Sequence, residues 1–109
     1  MELKRSACPI ANVLDLVGDR WSLLIVRDML LHHKHRYGDF LASDEGITTN
    51  ILADRLKRLE AYGIIEKTLY QHNPVRHDYH LTEKGRDLKP MIMAMVNWGL
   101  KYIPGAGPQ

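Results

Sequence analysis

Three sets of residues in this chain are capable of chemistry. Cys8 is the only cysteine, followed by Pro9, a residue suited to the first position of a helix. A thiol at a helix start with Lys4 and Arg5 nearby is electrostatically favoured as the thiolate, the form that reacts with oxidants and electrophiles. The alternative for Cys8 is a small buried hydrophobe. His32, His33 and His35 share one short stretch and raise the question of a metal, with Cys8 as a further ligand. Their spacing matches no ligand pattern, and no cysteine or carboxylate cluster accompanies them. No metal and no cofactor is expected. The third set lies between Gly46 and Gly63, GITTNILADRLKRLEAYG, and its chemistry is the recognition of a polyanion. No nucleophile–base–acid set or phosphate loop occurs; Gly105-Ala106-Gly107 has neither a strand before it nor a helix after it. An enzyme is not expected.

The third set needs a helix to present it. Leu52, Leu56 and Leu59 recur at helical spacing and fall on one face that can be buried. Asn50, Ala53, Asp54, Lys57 and Arg58 fall on the other, with no large apolar residue among them. Thr48 or Thr49 can cap the start by accepting a hydrogen bond from a first-turn amide, and Gly63 can end the helix in the left-handed conformation. Such a helix, about 48–62, has a dipole-positive start able to reach base edges and flanks able to meet phosphate. The ordinary alternative is a charged face that is merely solvated.

The bulk properties set limits. A chain of 109 residues reads as one domain, 1–109. With 45% hydrophobic and 26% charged residues it has the composition of a soluble globular protein. No apolar run approaches the roughly 20 residues of a membrane span, no signal peptide is legible, and a lone cysteine suits a reducing cytoplasm. No membrane partner is expected. The formal net charge of +2 does not argue nucleic-acid binding by itself, so placement of the charges must carry the case.

Around the polar helix the chain divides readily. Ile10, Val13, Leu14 and Val17 stripe a first helix that Gly18 ends. Asp19 caps a second, Trp21 to about Leu31, whose centre, Leu23-Leu24-Ile25-Val26, is apolar on all sides and marks the central core helix. A polar linker, His32 to His35, leads to a short helix over about 37–42 presenting Phe40 and Leu41. The turn Ser43-Asp44-Glu45-Gly46 joins it to the polar helix, which makes a helix-turn-helix. After Gly63 the period changes from 3.6 to 2. Ile65, Lys67 and Leu69 alternate with Ile64, Glu66 and Thr68, then Gln71-His72-Asn73-Pro74 turns the chain. A second strand follows, with Val75, His77, Tyr79 and Leu81 on one side and Arg76, Asp78 and His80 on the other. The result is a hairpin with a cationic tip, a wing over about 64–81. Thr82-Glu83 begins a short helix, and Pro90 opens the last, about 90–103. There Met91, Met95, Trp98 and Tyr102 form one stripe and Ile92, Val96 and Ile103 a second. A helix apolar over so much of its circumference needs cover on more than one side, and a second copy is the natural cover.

From Cys8 to about Trp98 the chain resembles HxlR-type winged helix-turn-helix regulators, relatives of the MarR group. Cys8-Pro9 is similar to the family's N-terminal Cys-Pro, and Gly18-Asp19-Arg20-Trp21 to its lead-in to the second helix. Arg36-Tyr37-Gly38-Asp39-Phe40 is similar to its Arg-Phe-Gly-Glu-Leu segment. Gly46-Ile47-Thr48 with Leu52, Arg55-Leu56 and Leu59-Glu60 follows its reading helix, and Gly63-Ile64-Ile65 its approach to the wing. Pro74-x-Arg76-x-x-Tyr79-x-Leu81-Thr82-x-x-Gly85 is the most specific match. His77 departs, standing where the family usually has an apolar residue on the side of Tyr79 and Leu81. The resemblance implies a mainly α fold with a small β-hairpin wing (α+β), and a homodimeric transcription regulator dimerised through its terminal helices. Ile10, Leu14, Met91, Met95, Trp98 and Tyr102 would form that interface. It also implies that a cysteine at position 8 can sense oxidants or small electrophiles.

Roles for double-stranded DNA follow. Arg76, near the wing tip, suits the minor groove or a phosphate, the alternative being a solvated surface arginine. Lys57 and Arg58 would meet phosphate. Thr48 opens the helix, and Thr49 and Asn50 have the short side chains that read base edges at a helix start. Asp54 can pair with Arg58 one turn on or accept from a cytosine amine. Arg55 lies towards the buried flank and can hold the helix to its neighbour. A two-fold dimer would require a pseudo-palindromic operator. The competing function class is a winged-helix module that pairs only with protein.

Overall fold

In the computed structural model, which describes residues 6–107, the chain runs α1 (Pro9–Val17), α2 (Ser22–Leu31), α3 (Tyr37–Leu41), α4 (Thr49–Ala61), β1 (Ile65–His72), β2 (Val75–Leu81), α5 (Glu83–Arg86) and α6 (Lys89–Tyr102). This is a winged helix-turn-helix, with α3 and α4 as the two-helix unit and β1–β2 as the wing. The helices begin and end within a residue or so of the expected positions, but β1 runs on through Gln71 and His72, expected in the turn, which narrows to Asn73-Pro74. Ile103 is a second exception: it caps α6 in an extended conformation and so leaves the helical stripe assigned to it.

α2 sits at the centre. Ile25, Val26 and Met29 are buried with Phe40 of α3, Leu52, Leu56 and Leu59 of α4, Ile64, Ile65 and Ile92. Leu23 and Leu24 are only half-buried, so α2 is not apolar-covered all round. Two polar residues of α2, Ser22 and Asp28, are buried instead. Asp19 caps the helix as expected, accepting from the Trp21 amide at 3.0 Å and the Ser22 amide at 3.1 Å.

The start and stop of α4 are built from local chemistry. The Thr48 hydroxyl accepts from the Ile51 amide at 3.4 Å, which assigns the cap to Thr48 rather than Thr49. At the other end Gly63 has φ +74°, the left-handed value that side chains disfavour. The Gly63 amide donates to the Glu60 carbonyl at 3.0 Å and the Ile64 amide to the Leu59 carbonyl at 2.9 Å. This paired Schellman geometry satisfies carbonyls left open at the helix end and turns the chain into β1.

The wing departs from simple alternation. The strands pair antiparallel from Ile65↔Leu81 to His72↔Val75, with an irregularity between Leu69 and Gln71. That extra residue shifts the side-chain register towards the tip. Val75, expected on the packed side with His77, Tyr79 and Leu81, is exposed at the tip end of β2, while the other three are half-buried. His77 pairs with Leu69. The linker before α3 is also more than a linker. The Tyr79 amide donates to the His35 carbonyl at 2.7 Å, and Arg36 forms an isolated antiparallel bridge with Asp78. Among the described residues, no helix is long and apolar enough to cross a membrane.

Candidate nucleic-acid interface

The outer face of α4 is open. Thr48, Thr49, Asn50, Ala53, Asp54, Lys57 and Arg58 are all exposed, and the leucines opposite them are buried. Asp54 Oδ2 lies 3.0 Å from Arg58 Nε, one helical turn away, and also pairs with Arg55. Its charge is thus balanced within the helix, which lowers the cost of bringing a carboxylate near phosphate. Among the described residues neither Lys57 nor Arg76 is in an ion pair. Both ammonium and guanidinium remain available to an external anion.

Four sets of polar contacts hold this face in position. Arg55 Nε reaches Asp19 Oδ2 at 2.8 Å, tying α4 to the cap of α2. Burial opposes ionisation of Asp19, but hydrogen bonds from Ser22, Arg55 and the Trp21 and Ser22 amides outweigh it. They take its pKa from 3.8 down to about 2. Arg27 of α2 grips Glu45 of the turn with two hydrogen bonds, Nη1–Oε2 at 2.9 Å and Nη2–Oε1 at 2.8 Å. The arginine pulls the Glu45 carboxyl from 4.5 to about 2, against the effect of burial. Asp28, beside it, receives Arg27 Nη2 at 2.8 Å and the Ser43 hydroxyl, and Lys34 donates to that hydroxyl at 2.9 Å. A buried carboxylate needs such partners, and here they link α2 to the turn between α3 and α4. At the helix start, the Tyr37 hydroxyl donates to the Thr49 carbonyl at 2.6 Å.

The wing is anchored at its base and again part-way along. At its base, the Thr82 hydroxyl donates to the Gly63 carbonyl at 2.6 Å and Lys84 donates to the Tyr62 carbonyl at 2.7 Å. Further out, Arg36 donates through Nε to Asp78 Oδ1 at 2.8 Å, with His35 Nδ1 3.2 Å from the same oxygen. The Arg36 guanidinium also lies over the Tyr70 ring, 3.9 Å from its centroid. Asp78, assigned from alternation to the outer side of the strand with Arg76 and His80, is half-buried by these contacts. Arg76 is exposed and pairs with Gln71 close to the tip. The roles of Arg36, Asp78 and Tyr70 were not legible in the sequence. Their only signal was the placement of Arg36 just before α3 in a family-like segment.

The terminal helices carry the remaining candidates. Ile10 and Leu14 of α1 and Met95, Trp98 and Tyr102 of α6 are exposed, with the Trp98 and Tyr102 rings 5.1 Å apart. Met91, expected with them, is half-buried and packs against this chain's own core. Cys8 is exposed at the N-cap of α1, not buried as a small hydrophobe. Lys4 and Arg5, expected to favour its thiolate, lie outside the described residues.

Comparison with known proteins agrees with this architecture. The family model described as HxlR-like helix-turn-helix matches residues 16–106. An HTH-type transcriptional regulator of Mycobacterium tuberculosis is 40% identical over 95 residues, covering 87% of this chain and 59% of that protein. The chain thus spans little more than half the length of that relative. A solved structure from Porphyromonas gingivalis, assigned to the MarR family of transcriptional regulators, superposes with TM-score 0.79 at 27% identity, covering 94% of this chain and 100% of the other. The redox regulator HypR in its oxidised form superposes with TM-score 0.76 at 33% identity, covering 86% of this chain and 96% of the other.

Proposed function

The chain belongs to the HxlR-like helix-turn-helix family of transcriptional regulators, and from that premise we propose that it binds duplex DNA sequence-specifically as a cytoplasmic homodimer. Each α4 reads one half-site of a pseudo-palindromic operator, with half-site centres about one helical turn or a multiple of it apart. The observation that carries this reading is the open face of α4: short polar groups at a capped helix start, then Lys57, exposed and in no ion pair among the described residues. Thr48, Thr49 and Asn50 address base edges, Lys57 and Arg58 the backbone, and Arg76 the adjoining minor groove or phosphate. Asp54 orients Arg58. The test is binding to the region upstream of its own gene or a divergent neighbour across a salt series. Arg76→Ala and Lys57→Ala are each expected to weaken binding to every sequence and flatten the log–log salt slope by about one unit. Asn50→Ala should instead relax base preference at one position per half-site. Wild-type behaviour of Arg76→Ala at every salt concentration would remove the wing from the interface.

A second reading concerns the signal. Cys8 is an exposed thiol two residues before Ile10, on the helix assigned to the dimer, and HypR, a structural relative, is a redox regulator. Cys8 then responds to oxidants or electrophiles. With one cysteine per chain, it forms a disulfide only across subunits, which requires the two α-carbons to lie within about 7 Å; otherwise it forms a sulfenic acid or a mixed disulfide. Either product at the start of α1 can turn the two reading helices relative to one another. Diamide or a quinone is expected to change operator binding of wild type reversibly and leave Cys8→Ser unaffected. Equal responses of the two proteins would end the sensor reading and leave DNA binding untouched.

A further inference from the structure

Between the start of α3 and the wing lies a cleft of about 170 Å³, with Arg36, Tyr37, Tyr70 and Arg76 among its walls. Among the described residues no carboxylate lines it. Tyr37 joins the cleft to the first turn of α4 through its hydrogen bond to the Thr49 carbonyl, and Arg76 brings in the wing. The Arg36 guanidinium is held on two sides, by the Tyr70 ring and by Asp78 at Nε. Among the described residues its terminal nitrogens make no hydrogen bond. Counting Asp78 against Arg36 and Arg76, the cleft is net positive. It is smaller than the roughly 300–1,000 Å³ of sites for drug-sized ligands, and its cationic groups are of the kind that take a phosphate with a planar fork.

We propose that this cleft is a cradle for one phosphate of the DNA backbone, seated between the start of α3 and the wing, with Arg36 as a contact residue. Stacking and the Asp78 bond fix the guanidinium before DNA arrives, so little side-chain entropy is lost on binding. Arg36 then sets the register between helix and wing as well as contributing charge. The proposal rests on the DNA-binding reading above, and its test separates the two.

The probe is a random-sequence duplex of about 30 base pairs, roughly three helical turns, because a phosphate contact is independent of sequence. Affinity is measured by fluorescence anisotropy across a salt series; the slope is insensitive to the active fraction of each preparation. Arg36→Ala is expected to lower the slope by about 0.9, the release expected for one neutralised phosphate. Arg36→Lys should hold the slope but bind roughly three- to tenfold more weakly, since it keeps the charge without the fork or the stack. Asp78→Asn, which removes the latch and keeps the guanidinium, should hold the slope. The cradle is overturned if Arg36→Ala keeps the wild-type slope, or if Arg36→Lys matches wild type in affinity. It is equally overturned if Asp78→Asn flattens the slope as Arg36→Ala does, since Arg36 would then act only by tethering the wing. Loss of slope in Arg76→Ala alone would leave the broader DNA-binding reading standing, whereas a wild type that binds no duplex at any salt would end both.

Discussion

Trp98→Glu is expected to abolish the dimer at micromolar concentration, leaving monomer or aggregate. The physical case lies in what α6 leaves uncovered. Ile92 is fully buried against the core, yet Trp98 on the same helix is 60% exposed, with Met95, Leu100 and Tyr102 similarly open. Ile10, at 71%, and Leu14 leave α1 equally bare. An exposed apolar stripe such as Met95, Trp98 and Tyr102 of α6 marks an interaction site. A tryptophan can bury about 150–250 Å², and at about 25 cal/mol per Å² even the part now exposed is worth some 2–4 kcal/mol. In a two-fold interface every substitution counts twice, so losing both indoles alone weakens association by at least about a thousandfold. The introduced carboxylates must also be desolvated, which adds to the loss. Sedimentation equilibrium decides the matter. A wild type that sediments as monomer at micromolar concentration would refute the dimer and with it the two-half-site operator.

What the sequence made legible, and what it did not, divides along physical lines. The outward and inward residues of α4 sit where their spacing placed them, because a helical period is a local property. The same holds for Asp19 as a cap and Gly63 as a stop, where each contact spans only a few residues. The wing was legible as a hairpin but not in its detail: one extra residue between Leu69 and Gln71 interrupts the pairing of β1 with β2, and nothing in the alternation announces a bulge. The polar ties were least legible. Asp28 meets Ser43, and Arg36 meets Asp78, across gaps of 15 and 42 residues. Such pairs leave no periodic trace, since each partner alone reads as an ordinary polar surface residue. The cleft follows from one of those ties and so was hidden with it.

Gly85→Ala is expected to destabilise the fold by about 1–3 kcal/mol, near the upper end, although Ala is the better helix former by up to about 1 kcal/mol. Gly85 is buried in α5. A methyl group there would stand 2.2 Å from the Ile64 carbonyl oxygen and 2.9 Å from Leu81 Cδ2. The leucine can rotate; the carbonyl cannot easily withdraw. Ile64 O accepts from the Thr82 amide at 3.1 Å and the Thr82 hydroxyl at 3.0 Å, and the Thr82 hydroxyl in turn accepts from the Gly85 amide at 3.2 Å. Moving any member strains the whole junction where the wing rejoins the helices. For a domain of this size, 2 kcal/mol corresponds to a fall in Tm of roughly 8–16 °C. Gly38→Ala, with nothing within 4 Å of the added methyl, serves as the control and should melt no lower than wild type. Thermal melts of the three proteins at one concentration settle it: equal stability of Gly85→Ala and wild type would refute the close approach. Because the strained junction is also the root of the wing, Gly85→Ala protein that remains folded should bind duplex DNA more weakly while keeping every residue of the interface.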